Sequence, residues 1–151
     1  AALAGEGVHW VEEPTLADDF AGHAAIRAKA SIPIQMGENW WGPREMAKCL
    51  DAGASDLCMP DAMKIGGVTG WLRAAALAEA AAIPASSHLF PEVSAHLLAV
   101  SPTGHWLEYV DWADPVLQEP MRIEDGHAVI ADAPGTGIAW DEGAVKRYLV
   151  A

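Results

Sequence analysis

Short apolar runs alternate with helix-like patterns between residue 7 and residue 109, at a period of about 25 residues. Each apolar run has the length and composition of a buried strand. The runs cover residues 7–11, 32–36, 56–59, 83–87 and 106–109. Strands that alternate with helices in this way are parallel and are joined by right-handed crossovers. The pattern therefore predicts an α/β fold, either an open sheet or a barrel.

Four intervening segments carry helical patterns with identifiable start signals. Asp18 or Asp19 can cap the first, because a short carboxylate accepts the free N–H groups of a first turn. Pro43 suits the first turn of the second helix, and Thr69 is the predicted cap of an alanine-rich third helix. The predicted helices cover residues 20–30, 43–50, 71–82 and 94–100.

The rhythm changes after Asp114. Residues 119–121, 123–130 and 135–138 read as irregular strands, with a turn signal at Asp125-Gly126, and a short final segment follows near residues 145–150. We therefore divide the chain into residues 1–114 and a tail of residues 115–151. The tail is expected to pack against something other than the sheet.

Composition and charge narrow the possible partners. The chain has 151 residues, of which 52% are hydrophobic, so it has ample material for a core. Its net charge of −12 repels phosphate backbones and anionic membrane surfaces, and no apolar run is long enough to span a membrane. We expect a soluble cytoplasmic protein that binds neither nucleic acid nor membrane. Cys49 and Cys58 lack metal-ligand spacing and are expected to be buried reduced thiols.

An ionisable residue stands at or near the end of every predicted strand. These residues are Glu12, Glu38, Asp61, His88 and Glu108. In α/β barrels, side chains at the carboxyl ends of parallel strands share one edge, where the chemistry takes place. The pattern predicts a single site built from all five segments.

Glu12 and Glu38 follow neighbouring strands, so their carboxylates should face each other. Two such carboxylates repel unless a proton or a cation lies between them, and hard oxygen ligands favour Mg²⁺. The alternative is that both glutamates cap helices or pair with arginine and lysine.

Asp61 and His88 also occupy adjacent strand ends. A carboxylate on one imidazole nitrogen fixes the tautomer and makes the other nitrogen a candidate general base; otherwise His88 is an ordinary loop histidine. Glu108 could stay protonated and donate a hydrogen bond to an oxyanion, or it could be a surface residue beside Tyr109. Lys64 could be a base or a phosphate ligand, although loop lysines are usually solvated.

Taken together, these motifs resemble the enolase superfamily and, within it, the mandelate racemases. The matching segments are Val11-Glu12-Glu13-Pro14, Met36-Gly37-Glu38-Asn39-Trp40, Pro60-Asp61-Ala62-Met63-Lys64-Ile65-Gly66-Gly67, Ser86-Ser87-His88-Leu89-Phe90 and His105-Trp106-Leu107-Glu108. The resemblance implies a TIM-type (β/α)₇β barrel, of which residues 1–114 would be strands four to eight. It implies that the tail, residues 115–151, joins a capping domain.

The resemblance also implies roles for the five residues. Glu12 and Glu38 would be Mg²⁺ ligands, Asp61 and His88 the base dyad, and Glu108 the acid that hydrogen-bonds the substrate carboxylate. The implied reaction is abstraction of the proton α to a carboxylate, as in the racemisation of a 2-hydroxy acid such as mandelate. Acid-sugar dehydration and a non-catalytic remnant are the alternatives. The implied partners are a small-molecule carboxylate and further copies in a homo-oligomer of the full-length protein.

Two features of the resembled family are expected upstream of Glu12, a third aspartate ligand and a Lys-x-Lys base. The sequence, which starts at Ala1, contains neither. We therefore expect the chain to be a fragment of a longer enzyme and to be inactive as a racemase on its own.

Overall fold

The computed structural model describes residues 3–150, and strands and helices alternate along its first part as predicted. The strands are β1 (Val11–Glu12), β2 (Ile34–Met36) and β3 (Leu57–Cys58), and the helices are α1 (Phe20–Arg27), α2 (Pro43–Asp51), α3 (Gly67–Ala80) and α4 (Pro91–Ala99). The three strands form a parallel sheet in the order β1-β2-β3. The predicted α/β class is confirmed.

Parallel pairing continues past β3 through isolated bridges. Cys58 pairs with Ala85, and Ala85 pairs in turn with Gly104. The amide of Ala85 donates to the Thr103 carbonyl at 2.8 Å. Two more segments therefore follow β3 in the predicted order, although the predictions of full strands at 83–87 and 106–109 are wrong. Pro84 has no N–H to donate to a ladder, and the pairing of the last segment begins before residue 106.

The sheet register brings the predicted site residues to one edge. Val11 lies opposite Ile34, and Glu12 lies opposite Gln35, one residue pair before the end of β2. Gln35 in turn lies opposite Leu57 on β3. Since all these strands run in the same direction, their carboxyl ends share one side of the sheet.

Two helix starts agree with the prediction and two differ. Asp19 caps α1 by accepting from the Gly22 amide at 2.8 Å, and α2 begins at Pro43. Helix α3 begins at Gly67, so Thr69 lies inside it and is not its cap. The hydrogen-bonded turns after Asp61 continue without a break into α3, which explains why the helix starts earlier than predicted. Helix α4 begins at Pro91, three residues before the predicted start.

The core lies between the sheet and helices α2 and α3. Its fully buried side chains include Ile34, Met36, Trp40, Met46, Ile65 and Trp71. Cys49 and Cys58 are buried free thiols, as predicted. Burial raises the pKa of Cys49 to about 11 and that of Cys58 to about 12, so both remain protonated at neutral pH.

The tail is mostly exposed and is built from local elements. A 3₁₀ turn, Asp114–Val116, precedes an antiparallel hairpin of β4 (Arg122–Glu124) and β5 (His127–Val129), and helix α5 (Glu142–Tyr148) follows. The predicted turn at Asp125-Gly126 is confirmed, whereas residues 119–121 and 135–138 are not strands. Within residues 3–150, no helix has the length and apolar character needed to cross a membrane.

Candidate active site

His88 lies between two acidic strand-end residues. Its Nδ1 is 2.9 Å from Asp61 Oδ2, and its Nε2 is 3.4 Å from Glu38 Oε2. Asp61 and His88 also form a parallel bridge through their backbones, which brings these two strand ends together. The structure therefore joins Asp61, His88 and Glu38 in one cluster, as the sequence predicted.

Asp61 is held rigidly in place. It is 2% exposed, and its Oδ1 accepts hydrogen bonds from the amides of Met63 at 2.8 Å and Lys64 at 2.9 Å. Its Oδ2 is left for His88. An anchored carboxylate favours the tautomer with the proton on Nδ1, so Nε2 is the nitrogen that can accept a proton. This nitrogen, Nε2, points toward Glu38.

Glu12 is electrostatically linked to the same cluster. Partial burial raises the pKa of the Glu12 carboxyl above its ordinary value, and the negative charges of Glu38 and Glu108 raise it further. The nearby polar side chains of Trp10 and Gln35 offset part of this increase in the pKa. The Glu12 carboxylate is thus repelled by two other strand-end carboxylates, and a cation placed between them would relieve that repulsion.

Glu108 is tied to the turn that follows His88. Its Oε2 accepts from the Leu89 amide at 2.7 Å, and its own amide donates to Ser87 Oγ at 3.0 Å. Leu89 and Phe90 both have left-handed backbones, with φ of 50° and 46°. Since Oε2 accepts the Leu89 N–H, Oε1 is the oxygen that Glu108 can present to a ligand.

Three residues near Glu38 complete a network that the sequence did not reveal. Glu13 accepts from the Gly37 amide at 3.1 Å and from Asn39 Nδ2 at 2.8 Å. The same Nδ2 donates to Glu38 Oε1 at 3.2 Å, and Lys64 Nζ donates to Asn39 Oδ1 at 3.1 Å. For two of these residues the sequence did contain a signal: Glu13 and Asn39 each come directly after a predicted site residue, Glu12 and Glu38 respectively.

The donor set fits Mg²⁺ better than a metal that needs several protein ligands. Among residues 3–150, no three His, Cys, Asp or Glu side chains form a group that could hold a metal ion. Two carboxylates suffice for Mg²⁺, which usually keeps several waters and binds one or two carboxylates together with substrate oxygens. Glu38 Oε2 and the Glu12 carboxyl are oxygen donors of this kind. A structural zinc site, by contrast, needs four ligands, usually with thiolate or imidazole among them.

Comparison with known proteins gives a consistent family. The family model described as enolase C-terminal domain-like matches residues 1–144. The L-talarate/galactarate dehydratase of Salmonella typhimurium is 36% identical over 135 residues, which are 89% of this chain and 34% of the dehydratase.

Solved structures agree in fold over nearly the whole chain. An enolase from Bradyrhizobium, in complex with magnesium and mandelic acid, is 53% identical with a TM-score of 0.95, covering 99% of this chain and 41% of that one. A racemase from Streptomyces coelicolor with bound magnesium is 35% identical with a TM-score of 0.91, covering 97% and 40%. The chain thus spans well under half the length of these relatives.

Proposed function

The chain belongs to the enolase C-terminal domain-like family, and from this premise we propose that its strand-end cluster removes the proton α to a carboxylate with the help of Mg²⁺. The observation that carries the proposal is the position of His88. One ring nitrogen is held by buried Asp61, and the other faces Glu38 across 3.4 Å. A general base of this kind, beside a metal-ligating carboxylate, is the arrangement that carbon-acid chemistry requires.

Each residue then has a role. Glu12 and Glu38 would hold Mg²⁺, which when bound draws negative charge from the substrate carboxylate and makes the α-proton more acidic. His88 Nε2 takes that proton while Asp61 fixes the ring and stabilises its positive charge. Glu108 donates from Oε1 to the oxygen on which negative charge develops, and Leu89 N–H holds its other oxygen in place.

Racemisation of a 2-hydroxy acid such as mandelate is the outcome we propose. The support is that a relative 53% identical to this chain binds mandelic acid with magnesium and that another relative is a racemase. His88 serves one face of the substrate in this scheme. It removes the proton from one enantiomer and returns it when that enantiomer is formed from the other.

Acid-sugar dehydration is the second candidate. It is favoured by the name of the Salmonella typhimurium relative, a talarate/galactarate dehydratase that is 36% identical. The same base would remove the α-proton, and the β-hydroxyl would then leave as water by taking up that abstracted proton. The two candidates share every residue named above and differ in what the substrate carries at its β-carbon.

We also propose that residues 1–114 contribute part of a (β/α) barrel and that the tail packs on a capping domain. The parallel order of five consecutive segments supports the first part. The local, exposed elements of the tail are consistent with the second. Assembly of the full-length protein into a homo-oligomer stays a prediction.

Isotope exchange in D₂O tests the chemistry. The complete product of the gene, supplied with Mg²⁺, should exchange the α-proton of both mandelate enantiomers, as measured by NMR. His88→Asn should slow exchange from one enantiomer by about 10²–10⁴-fold, because one general base is lost, and should spare some exchange from the other. His127→Asn, the same change at an exposed tail histidine, is the control.

The possible results separate the candidates. Exchange with galactarate and release of a dehydrated keto acid, without exchange of mandelate, would replace racemisation by dehydration. Equal loss with both mandelate enantiomers in His88→Asn would contradict the two-base scheme. Full activity of His88→Asn on every substrate would refute the proposed base.

A further inference from the structure

Lys64 is connected to the strand-end acids through one amide. Its Nζ lies 3.1 Å from Asn39 Oδ1, and Asn39 Nδ2 lies 2.8 Å from Glu13 Oε2 and 3.2 Å from Glu38 Oε1. Among residues 3–150, Lys64 forms no salt bridge with any carboxylate. The link between this lysine and Glu38 therefore passes through Asn39. All four side chains are half-buried, so water competes only partly for these hydrogen bonds.

The chemistry of the groups allows the amide only one orientation. An ammonium group can only donate hydrogen bonds, so the atom of Asn39 that faces Lys64 has to be the oxygen. The NH₂ group then faces the two carboxylates, which can only accept when ionised. It has two hydrogens and two acceptors, one on Glu13 and one on Glu38. Lys64 and the two carboxylates thus impose the same direction of donation on the amide, and Lys64 holds it from the oxygen side.

This direction determines how Glu38 is presented. Its Oε1 is bound to Asn39, and its Oε2 lies on the other side, 3.4 Å from His88 Nε2. If the amide turned over, its oxygen would face two carboxylates and would repel both. Glu38 would then lose the contact that holds Oε1 away from the site. Glu13 supports the same geometry, because its Oε1 also holds the Gly37 amide immediately before Glu38.

We propose that Lys64 is a positioning residue that acts through the Asn39 amide and fixes Oε2 of Glu38 as the oxygen offered to a divalent cation. This inference rests on the proposed function, since it takes Glu38 to be an Mg²⁺ ligand. Residues that orient metal ligands typically change metal affinity by about 10- to 100-fold when they are replaced.

The direction in which Mg²⁺ affinity changes when Lys64 is replaced distinguishes a positioning role from a simple effect of its charge. Lys64 is a cation close to the place where another cation would bind. If charge alone mattered, its removal would reduce repulsion and tighten Mg²⁺ binding. If Lys64 acts through Asn39, its removal leaves Asn39 Oδ1 without the Nζ donor, so the amide and Glu38 Oε1 are held less firmly and binding weakens instead.

The test measures Mg²⁺ affinity by calorimetry in the complete product of the gene. Lys64→Met and Asn39→Ala should each weaken Mg²⁺ binding, by about 10- to 100-fold for Asn39→Ala. Adding Lys64→Met to Asn39→Ala should leave affinity unchanged or make it tighter, because only the charge effect is left to act. Lys48→Met, which removes an exposed lysine at the end of α2, should leave affinity unchanged. Thermal unfolding without Mg²⁺ shows whether each variant is folded.

The results separate this inference from the proposed function. No Mg²⁺ binding by the wild-type protein, or undiminished binding by Glu38→Gln, would overturn the metal site and this inference with it. Normal binding by the wild type, weak binding by Glu38→Gln and unchanged or tighter binding by Lys64→Met would overturn this inference alone. The inference would also be overturned if Lys64→Met weakened Mg²⁺ binding equally in the wild-type protein and in the Asn39→Ala variant. If Lys64→Met fails to fold, unchanged affinity in Asn39→Ala would still refute the proposal.

Discussion

The strand-end cluster and the tail use similar polar residues in opposite ways. In the cluster, several hydrogen bonds join residues 24 to 27 positions apart, as in Glu13 with Gly37 and Asp61 with His88. In the hairpin of the tail, Arg122 bonds Glu124 and the His127 ring bonds the Asp125 carbonyl, each only two positions away. In the hairpin, Glu124 and Asp125 bond residues of their own turn, whereas Glu13 and Asp61 in the cluster also contact another βα unit.

The difference follows from how the backbone is paired. Parallel strands repeat at intervals of a whole βα unit, so their ends bring together residues that are distant in sequence. An antiparallel hairpin brings together residues that are already close. Chemistry that needs several ionisable groups at one point is therefore expected in the first region, and the following predictions compare matched positions in both.

The largest contrast is expected between Asp61→Asn and Asp141→Asn. Both aspartates accept backbone N–H groups of a following turn, but only Asp61 also holds a histidine. An amide at position 61 would donate to His88 Nδ1 and move the ring proton to Nε2, which then cannot accept one. We expect α-proton exchange to fall by about 10²–10⁴-fold for Asp61→Asn and to stay unchanged for Asp141→Asn. Similar activity of the two variants in NMR exchange assays would contradict the assigned role of Asp61.

Glycine-to-alanine changes should show how closely the two regions are packed. At Gly37, φ is +144° and an added Cβ would lie 2.9 Å from backbone atoms of Met59. At Gly126, φ is +76° and nothing lies within 4 Å. We expect Gly37→Ala to lower the free energy of unfolding by about 2–6 kcal/mol, through strain and overlap together, and Gly126→Ala by about 1–2 kcal/mol. Denaturant titration measures both, and equal losses would mean that β2 and β3 can separate without cost.

The smallest effects should have opposite signs. Glu12 has a raised pKa, so its ionised form is disfavoured in the folded state. That destabilisation is absent below the ordinary pKa of a glutamate and fully present above the raised value. Without Mg²⁺ at neutral pH, Glu12→Gln should stabilise the fold by about 0.2–1 kcal/mol. The gain should disappear in acid.

Glu124 is the matched position in the tail. It pairs with Arg122 at 2.6 Å, and both side chains are exposed. Glu124→Gln should destabilise the protein by about 0–1 kcal/mol, as for other surface ion pairs. Thermal unfolding of the two variants, with and without Mg²⁺, checks both signs. Destabilisation by Glu12→Gln without the metal would argue against the burial cost of Glu12 and its repulsion by Glu38 and Glu108.

Periodicity was sufficient to predict the α/β class, the order of the parallel segments and the meeting of Asp61 with His88. These features depend on patterns that repeat along the chain. The extent of pairing was not predictable in the same way, because it depends on which amides reach a partner after Pro84. The early start of α3 also escaped prediction, since a turn fixed by Asp61 leads into it.

The site was predicted less completely than the fold. The alternation of strands and ionisable residues pointed to the side chains that face the centre. It could not reveal Glu13, Asn39 and Lys64, whose roles depend on side-chain directions in loops after three different strands. Lys64 was interpreted as a base, a phosphate ligand or a solvated side chain, and the contact with Asn39 supports the positioning role proposed for it instead.

The contacts of Glu13 have a practical consequence for protein engineering. Its two carboxylate oxygens both bind the segment that carries Glu38, although Glu13 itself follows the preceding strand. A loop containing Glu38 cannot be grafted alone onto another scaffold and keep its shape. The smallest transferable module comprises the ends of three strands, with Glu13, Asn39 and Lys64 moved together.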